Sequence, residues 1–298
     1  MDRRSFFKGI VAAGAATAAT RAEARERREA PEGAVGMLYD ATECIGCKAC
    51  VVACRDANGL PASRGGKDPG LHDQQTELNG NTKNVIKLYQ EGGVWSFVKS
   101  QCMHCVDPAC VSVCRIGALQ KDGQTGIVAY DKDRCVGCRY CQVACPFNVP
   151  KFEWQSATPC ITKCEMCRHR QAEGKQPACT EVCPKQAVIF GKLEDLKAEA
   201  RRRIREQPGR YQPRVYGDED MGGTQVLYLS AVPFEKLGLP EMGQESVPAL
   251  AESIQHGIYQ GLITPAVLYV GLAGAVIRNW RKNKGEPGAP HGGQEDKS

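Results

Sequence analysis

Apolar positions along the chain fall in short runs broken by turn residues. VGMLYD (Val35–Asp40), GIVAYD (126–131) and AVIFG (187–191) are each five or six residues long and predict strands. VIKLYQ (85–90) and VWSFVKSQC (94–102) predict a strand pair, with Trp95 and Phe97 in the core rather than beside a cofactor. LEDLKAEARRRIREQ (193–207) has the composition of a helix and stops before Pro208 and Gly209, its arginine cluster forming a solvated face. Residues 58–84 are polar and glycine-rich and predict an insertion loop.

The longest apolar run is GIYQGLITPAVLYVGLAGAVI (257–277), with no formal charge. As a helix it would extend about 31 Å, near the thickness of a bilayer's hydrocarbon core. Arg278, Arg281, Lys282 and Lys284 follow it. The pattern predicts one transmembrane helix over 257–277, preceded by a linker (241–256) and followed by a basic, polar cytoplasmic tail (278–298). The alternative is a buried core helix. At the other end, RR-x-F-F-K (Arg3, Arg4, Phe6, Phe7, Lys8), a weakly apolar run and Ala22-Glu23-Ala24 resemble a Tat export signal over residues 1–24. Tat export moves folded, cofactor-loaded proteins, which suits a chain destined for the periplasm with a metal site already filled.

Composition sharpens this picture. Aromatic residues are only 6% of the 298, whereas there are 32 glycines, 17 prolines and 17 cysteines, so something besides a large apolar core must hold the elements. The net charge of +5 is spread along the chain without interleaved aromatics, which speaks against nucleic-acid binding.

Sixteen of the cysteines form four runs. Cys44, Cys47, Cys50 and Cys54 (run one, 44–54) and Cys135, Cys138, Cys141 and Cys145 (run three, 135–145) read C-x2-C-x2-C-x3-C. Cys102, Cys105, Cys110 and Cys114 (run two, 102–114) read C-x2-C-x4-C-x3-C, and Cys164, Cys167, Cys179 and Cys183 (run four, 164–183) read C-x2-C-x11-C-x3-C. Two thiolates three positions apart can face one centre from a tight loop, and a third wraps the same corner of a cubane. In two-cluster ferredoxins the fourth cysteine serves the other cluster. Gly46 and Gly137, between the first two cysteines of their runs, suit a tight loop. Zinc needs only two such pairs. Cysteines this close in a loop have poor disulfide geometry, and no C-x-x-C-H is present for haem. Iron–sulfur cubanes fit best. Each half-unit reads strand, cysteine loop, short helix, strand, with GAL (117–119) as the strand after run two. The fold class expected is α+β, two ferredoxin-like modules over 25–240 with one C-terminal transmembrane helix.

Six further positions stand out. Cys160 lies outside the runs and reads as a plain thiol, His104 reads as hydrogen-bonded or exposed rather than as a ligand, and Lys48, Arg115, Arg139 and Lys163 read as solvated. No acid–base pair or activated nucleophile is evident, which points to a non-catalytic subunit of an oxidoreductase complex.

QCMHCVDPACVSVC (101–114), GCRYCQVACPFNVPKF (137–152), KCEMC (163–167), EVCPKQAVIFG (181–191) and GGTQVLYLSAVPFEKLGLP (222–240) together resemble the iron–sulfur subunits that hold four 4Fe–4S clusters beside a catalytic subunit. Within that group the likeness is to the ferredoxin-type subunit of periplasmic, membrane-bound nickel–iron hydrogenase-2. The resemblance implies four clusters. One is held by Cys44, Cys47, Cys50 and Cys183, and its partner by Cys164, Cys167, Cys179 and Cys54. A third takes Cys102, Cys105, Cys110 and Cys145, and the fourth Cys135, Cys138, Cys141 and Cys114. It also implies electron transfer from the hydrogenase small and large subunits to an integral membrane quinone-reactive subunit, on the periplasmic side of the inner membrane. The same wire could serve a molybdopterin enzyme such as formate dehydrogenase, and a protein of another class, for iron–sulfur storage or sensing, would carry similar runs.

Overall fold

The computed structural model describes residues 25–61, 70, 74–154, 159–253 and 263–283; the export signal over 1–24 lies outside them. The chain divides into two compact units, Glu26–Ala249 and a second formed by Met1–Arg25 with Leu250–Ser298.

The larger unit is α+β. Strand β1 (Val35–Asp40) is the centre of a three-stranded sheet. It pairs antiparallel with β8 (Val188–Lys192) in the register Tyr39↔Val188, and parallel with β9 (Val226–Leu229) in the register Met37↔Val226. Both faces of β1 are covered, so its buried run does not alternate with polar residues. Parity still divides it. Met37 and Tyr39, with Val226 and Tyr228 of β9, join the core that contains Cys179 and borders Cys44, Cys50 and Cys183. Leu38, with Leu227 and Leu229, faces helix α6 (Leu193–Glu206), whose Leu193, Leu196 and Ala200 lie on one face at helical spacing. The arginines of α6 are only partly a solvated face: Arg202 pairs with Glu199 and Glu206, but Arg203 reaches the fully buried Asp40 at 3.1 Å.

β1 leads through run one into α1 (Ala49–Ala57), which packs on α5 (Ala178–Glu181) of run four, and α5 leads into β8. The same plan recurs inside this frame. α2 (Ala109–Ser112) packs on α3 (Tyr140–Ala144), and β4 (Leu119–Lys121) pairs antiparallel with β5 (Val128–Tyr130). The inner module, runs two and three, is therefore nested in the chain between the two halves of the outer one. The remaining elements are the hairpin β2 (Asn84–Glu91) and β3 (Val94–Gln101), the pair β6 (Lys151–Phe152) and β7 (Ile161–Thr162), and the short helix α4 (Arg168–Gln171).

Gln225 joins the two modules. Its buried side-chain amide donates to Val35 O (2.5 Å) and Thr125 O (2.8 Å), and its Oε1 accepts from Lys121 Nζ (2.8 Å), which also donates to Cys105 O. The strand it opens, β9, was not anticipated from periodicity, because all four of its residues are buried. Beyond it, Gly243 O and Gln244 O accept from Met221 N and Gly222 N, so part of the segment read as a linker is bonded to this unit.

In the second unit, Arg25 pairs with Glu252 at 2.6 Å, and helix α7 spans Ile263–Asn283. The expectation of a transmembrane helix over 257–277 is corrected here. Residues 257–262 lie outside the described residues, and among those described no helix is long and apolar enough to cross a membrane. α7 extends through Arg278, Arg281 and Lys282. Its uncharged part, 263–277, would cover only about 22 Å at the rise of an α-helix.

Replacing Gln225 with Ala should remove one of three acceptors of Lys121 Nζ and the side-chain donor to the half-buried carbonyls of Val35 and Thr125. The expected loss is about 2–3 kcal/mol of stability, measured by denaturant unfolding of the cluster-loaded protein.

Candidate iron–sulfur centres

The four cysteine runs share one backbone device. The residue just before the second cysteine is left-handed in each: Gly46 (φ 69°), His104 (φ 48°), Gly137 (φ 70°) and Met166 (φ 50°). Only the two glycines were legible in advance. At His104 and Met166 an L side chain takes this conformation at a cost of about 1–2 kcal/mol. The turn directs that residue's N–H at the first cysteine's sulfur: Met166 N donates to Cys164 Sγ at 3.3 Å, and Gly46 and His104 donate to Cys44 and Cys102. The loop at Gly46 is also closed from above, because a Cβ there would come within 2.3 Å of the Phe97 ring. Phe97 is thus a neighbour of run one, contrary to expectation, and Trp95, expected in the core, is 66% exposed.

Thiols from different runs come together in the interior. Cys44, Cys47, Cys50 and Cys183 line one cavity, with Tyr39 and Lys99 in its wall. Burial pushes the Cys50 thiol up to about 12; Lys99 opposes the rise, and Cys179, Cys44 and Cys183 add to it. Burial also raises Cys54, helped by Cys179, Cys164 and Cys167. Cys179 rises to about 11, with burial the main cause, Lys99 opposing and Cys164 and Cys167 adding. Cys105 is raised by burial and then by Cys102, Cys110 and Cys145. Cys141 is raised to about 12 by burial and then by Cys138, Cys135 and Cys114.

Further interactions link the thiols along the interior: Cys50 feels Cys179, Cys164 feels Cys102, and Cys110 feels Cys141. In an unloaded chain these buried thiols hold their protons, and binding iron must release them. The donor chemistry fits cubanes: all-thiol groups, in largely buried settings, with backbone N–H donors aimed at sulfur. Among the described residues no three His, Cys, Asp or Glu side chains converge on a point suited to a single metal ion. A cubane does not ask for that, since each thiolate caps a different iron.

Other predicted positions are placed as follows. His104 is fully buried; its Nδ1 accepts from Val128 N at 3.0 Å, and burial, then Lys163 and Lys121, hold its pKa well below the usual value. Cys160 is exposed, next to Pro159, which covers Gly137 of run three. The Arg139 guanidinium stacks 4.0 Å over Trp154, and Lys48 Nζ donates to Gln74 O. Lys163, expected in solvent, is 2% exposed and donates to Val128 O and Cys164 O. Lys99 was missed altogether. Its parity in β3, the same as Phe97's, was the available signal. Asn58 was also missed; its Nδ2 approaches Cys54 Sγ at 3.7 Å and Cys167 Sγ at 3.8 Å.

This arrangement defines a class, the ferredoxin-type iron–sulfur proteins. A family model described as a 4Fe–4S dicluster domain matches residues 93–193. The chain is 41% identical over 293 residues to the hydrogenase-2 operon protein HybA of Escherichia coli O157:H7, covering 87% of this chain and 89% of that protein. It is 32% identical over 239 residues to the formate dehydrogenase-O iron–sulfur subunit of Escherichia coli K12, covering 76% and 77%. The chain therefore belongs to the family of ferredoxin-type 4Fe–4S electron-transfer subunits that includes the hydrogenase-2 protein, and it carries multiple 4Fe–4S clusters.

Gly46→Ala should combine left-handed strain with a clash against Phe97. The expected result is a lower unfolding midpoint and about four irons fewer per chain, read by iron analysis. Adding Phe97→Ala should recover part of the loss, because it relieves the clash and leaves the strain.

Proposed function

We propose that this subunit carries four 4Fe–4S clusters on the sixteen run cysteines and relays electrons from a periplasmic nickel–iron hydrogenase to a quinone-reactive membrane subunit. The observation that carries this reading is the chain of neighbouring buried thiols from different runs, in which Cys50 feels Cys179, Cys164 feels Cys102 and Cys110 feels Cys141; it supports four groups in succession. The first group is Cys44, Cys47, Cys50 and Cys183. The second is Cys54, Cys164, Cys167 and Cys179, the third Cys102, Cys105, Cys110 and Cys145, and the fourth Cys114, Cys135, Cys138 and Cys141.

When bound, the clusters supply one-electron transfer; the chain holds them in order, buries seven of the sixteen run cysteines and fixes the charge around them. The two ends of the series carry exposed apolar rims suited to partner subunits. Ile45 and Trp95 stand at the first group, and Val136, Tyr140 and Val143 at the fourth. Identity to the hydrogenase-2 protein over most of both chains supports a hydrogenase as donor. The RR-x-F-F-K start supports Tat export to the periplasmic side of the inner membrane. A second reading, the same wire serving a molybdopterin enzyme, is supported by the 32% identity to a formate dehydrogenase iron–sulfur subunit.

Two measurements test this. The complex, purified without oxygen from detergent-solubilised membranes, should contain about sixteen irons and sixteen labile sulfides per chain. Its broad visible absorbance should bleach under hydrogen and return with a quinone analogue. Bleaching by formate but not hydrogen would replace the donor, and two to four zincs in place of iron would overturn the cluster reading. Separately, Cys110→Ala should alter one cluster and leave three by spin-resonance counting; loss of all four would contradict the assignment of Cys110 to a single cluster.

A further inference from the structure

Two lysines lie inside the cysteine core. Lys99 is 0% exposed and Lys163 is 2% exposed. Lys99 Nζ donates to the neutral amide oxygen of Gln101 at 2.5 Å, and Lys163 Nζ donates to the backbone oxygens of Val128 and Cys164. Among the described residues neither lysine has a carboxylate within ion-pairing distance. Glu165 is the acidic group that feels Lys163, but its ion pairs are with Lys83 at 3.3 Å and Arg168 at 3.4 Å. A buried ammonium without a counter-charge costs several kcal/mol. The counter-charge on offer is thiolate sulfur. A 4Fe–4S cluster with four thiolates is net negative whether oxidised or reduced, so loading it provides the missing anion.

Position decides which clusters each lysine serves. Lys99 lies in the wall of the cavity of Cys44, Cys47, Cys50 and Cys183. It also interacts with Cys54, Cys164 and Cys179 of the second group. Lys163 interacts with Cys102, Cys110 and Cys145 of the third group, and its ammonium is bonded to the carbonyl of Cys164 in the second. Each lysine therefore stands at a junction between consecutive groups. A fixed positive charge favours the extra electron of a reduced cluster, and in water-poor surroundings it is weakly screened.

We propose that Lys99 and Lys163 are potential-setting residues, buried counter-ions at two successive cluster junctions that raise the reduction potentials of the clusters on either side. The smallest effect is expected at the fourth group, Cys114, Cys135, Cys138 and Cys141. This rests on the four-cluster assignment above.

The test is redox titration of the intact complex, followed by spin resonance, for Lys99→Met and Lys163→Met, with iron and sulfide counted on the same samples. Full iron content is expected. Lys99→Met should lower two of the four midpoints and Lys163→Met two, with one common to both. Lys99→Arg and Lys163→Arg should keep the original values. Four unchanged midpoints at full iron content overturn the proposal. If a Met variant loses iron, the Arg variant decides. Retention by Arg with unchanged midpoints supports the counter-ion role, and equal loss in both overturns it in favour of shape alone. Failure of the wild-type complex to show about sixteen irons per chain would instead overturn the underlying cluster assignment, and is distinguishable on that ground.

Discussion

Thiols buried away from water keep their protons, and a cluster needs them ionised. The rest of this structure depends on reconciling the two. Cysteine sulfur takes the place in the interior that larger side chains fill elsewhere: Cys179, Cys110, Cys141, Cys102 and Cys164 are members of the hydrophobic clusters, not additions to them. Iron is what makes that interior stable, because it exchanges a proton on sulfur for a metal bond.

Geometry follows from the same requirement. Each loop has a left-handed residue, which in three of them turns a backbone N–H onto sulfur, and the sheet of β8, β1 and β9 places two of the loops beside each other. The parity of β1 separates the tasks of its two faces. Met37 and Tyr39 border the cysteine side, while Leu38 packs under α6. Gly36 shows how close the packing is, since a Cβ there would meet the Gln225 carbonyl at 2.4 Å.

Much of this was legible in the residues. Cysteine spacing marked the four loops, and short apolar runs marked β1, β5 and β8 within a residue or two. The helix over Leu193–Glu206 was legible from composition and its Pro-Gly stop. What escaped depended on tertiary context. The left-handed turns at His104 and Met166 are imposed by the loop, against side-chain preference. Lys163 reads as a surface residue until the strand beside it turns its stem inward, and β9 lacks alternation because both its faces are covered. Near the C-terminus the described helix continues past the apolar run into Arg278, Arg281 and Lys282, and among the described residues no helix is long and apolar enough to cross a membrane.

The nested order of the modules has a consequence for the birth of the chain. All the strands and loops of the inner module have been synthesised by residue 145, whereas β1 waits for β8, which is complete only at Lys192. At a synthesis rate of about 5–20 residues per second, Cys50 emerges roughly 7–27 seconds before Cys183. During that interval the four thiols of run one are in an unfinished protein with no partner strand to cover them. The ribosome thus sets a sequence of maturation, inner module first, and the outer cysteines spend the longest time open to oxidants and stray metals.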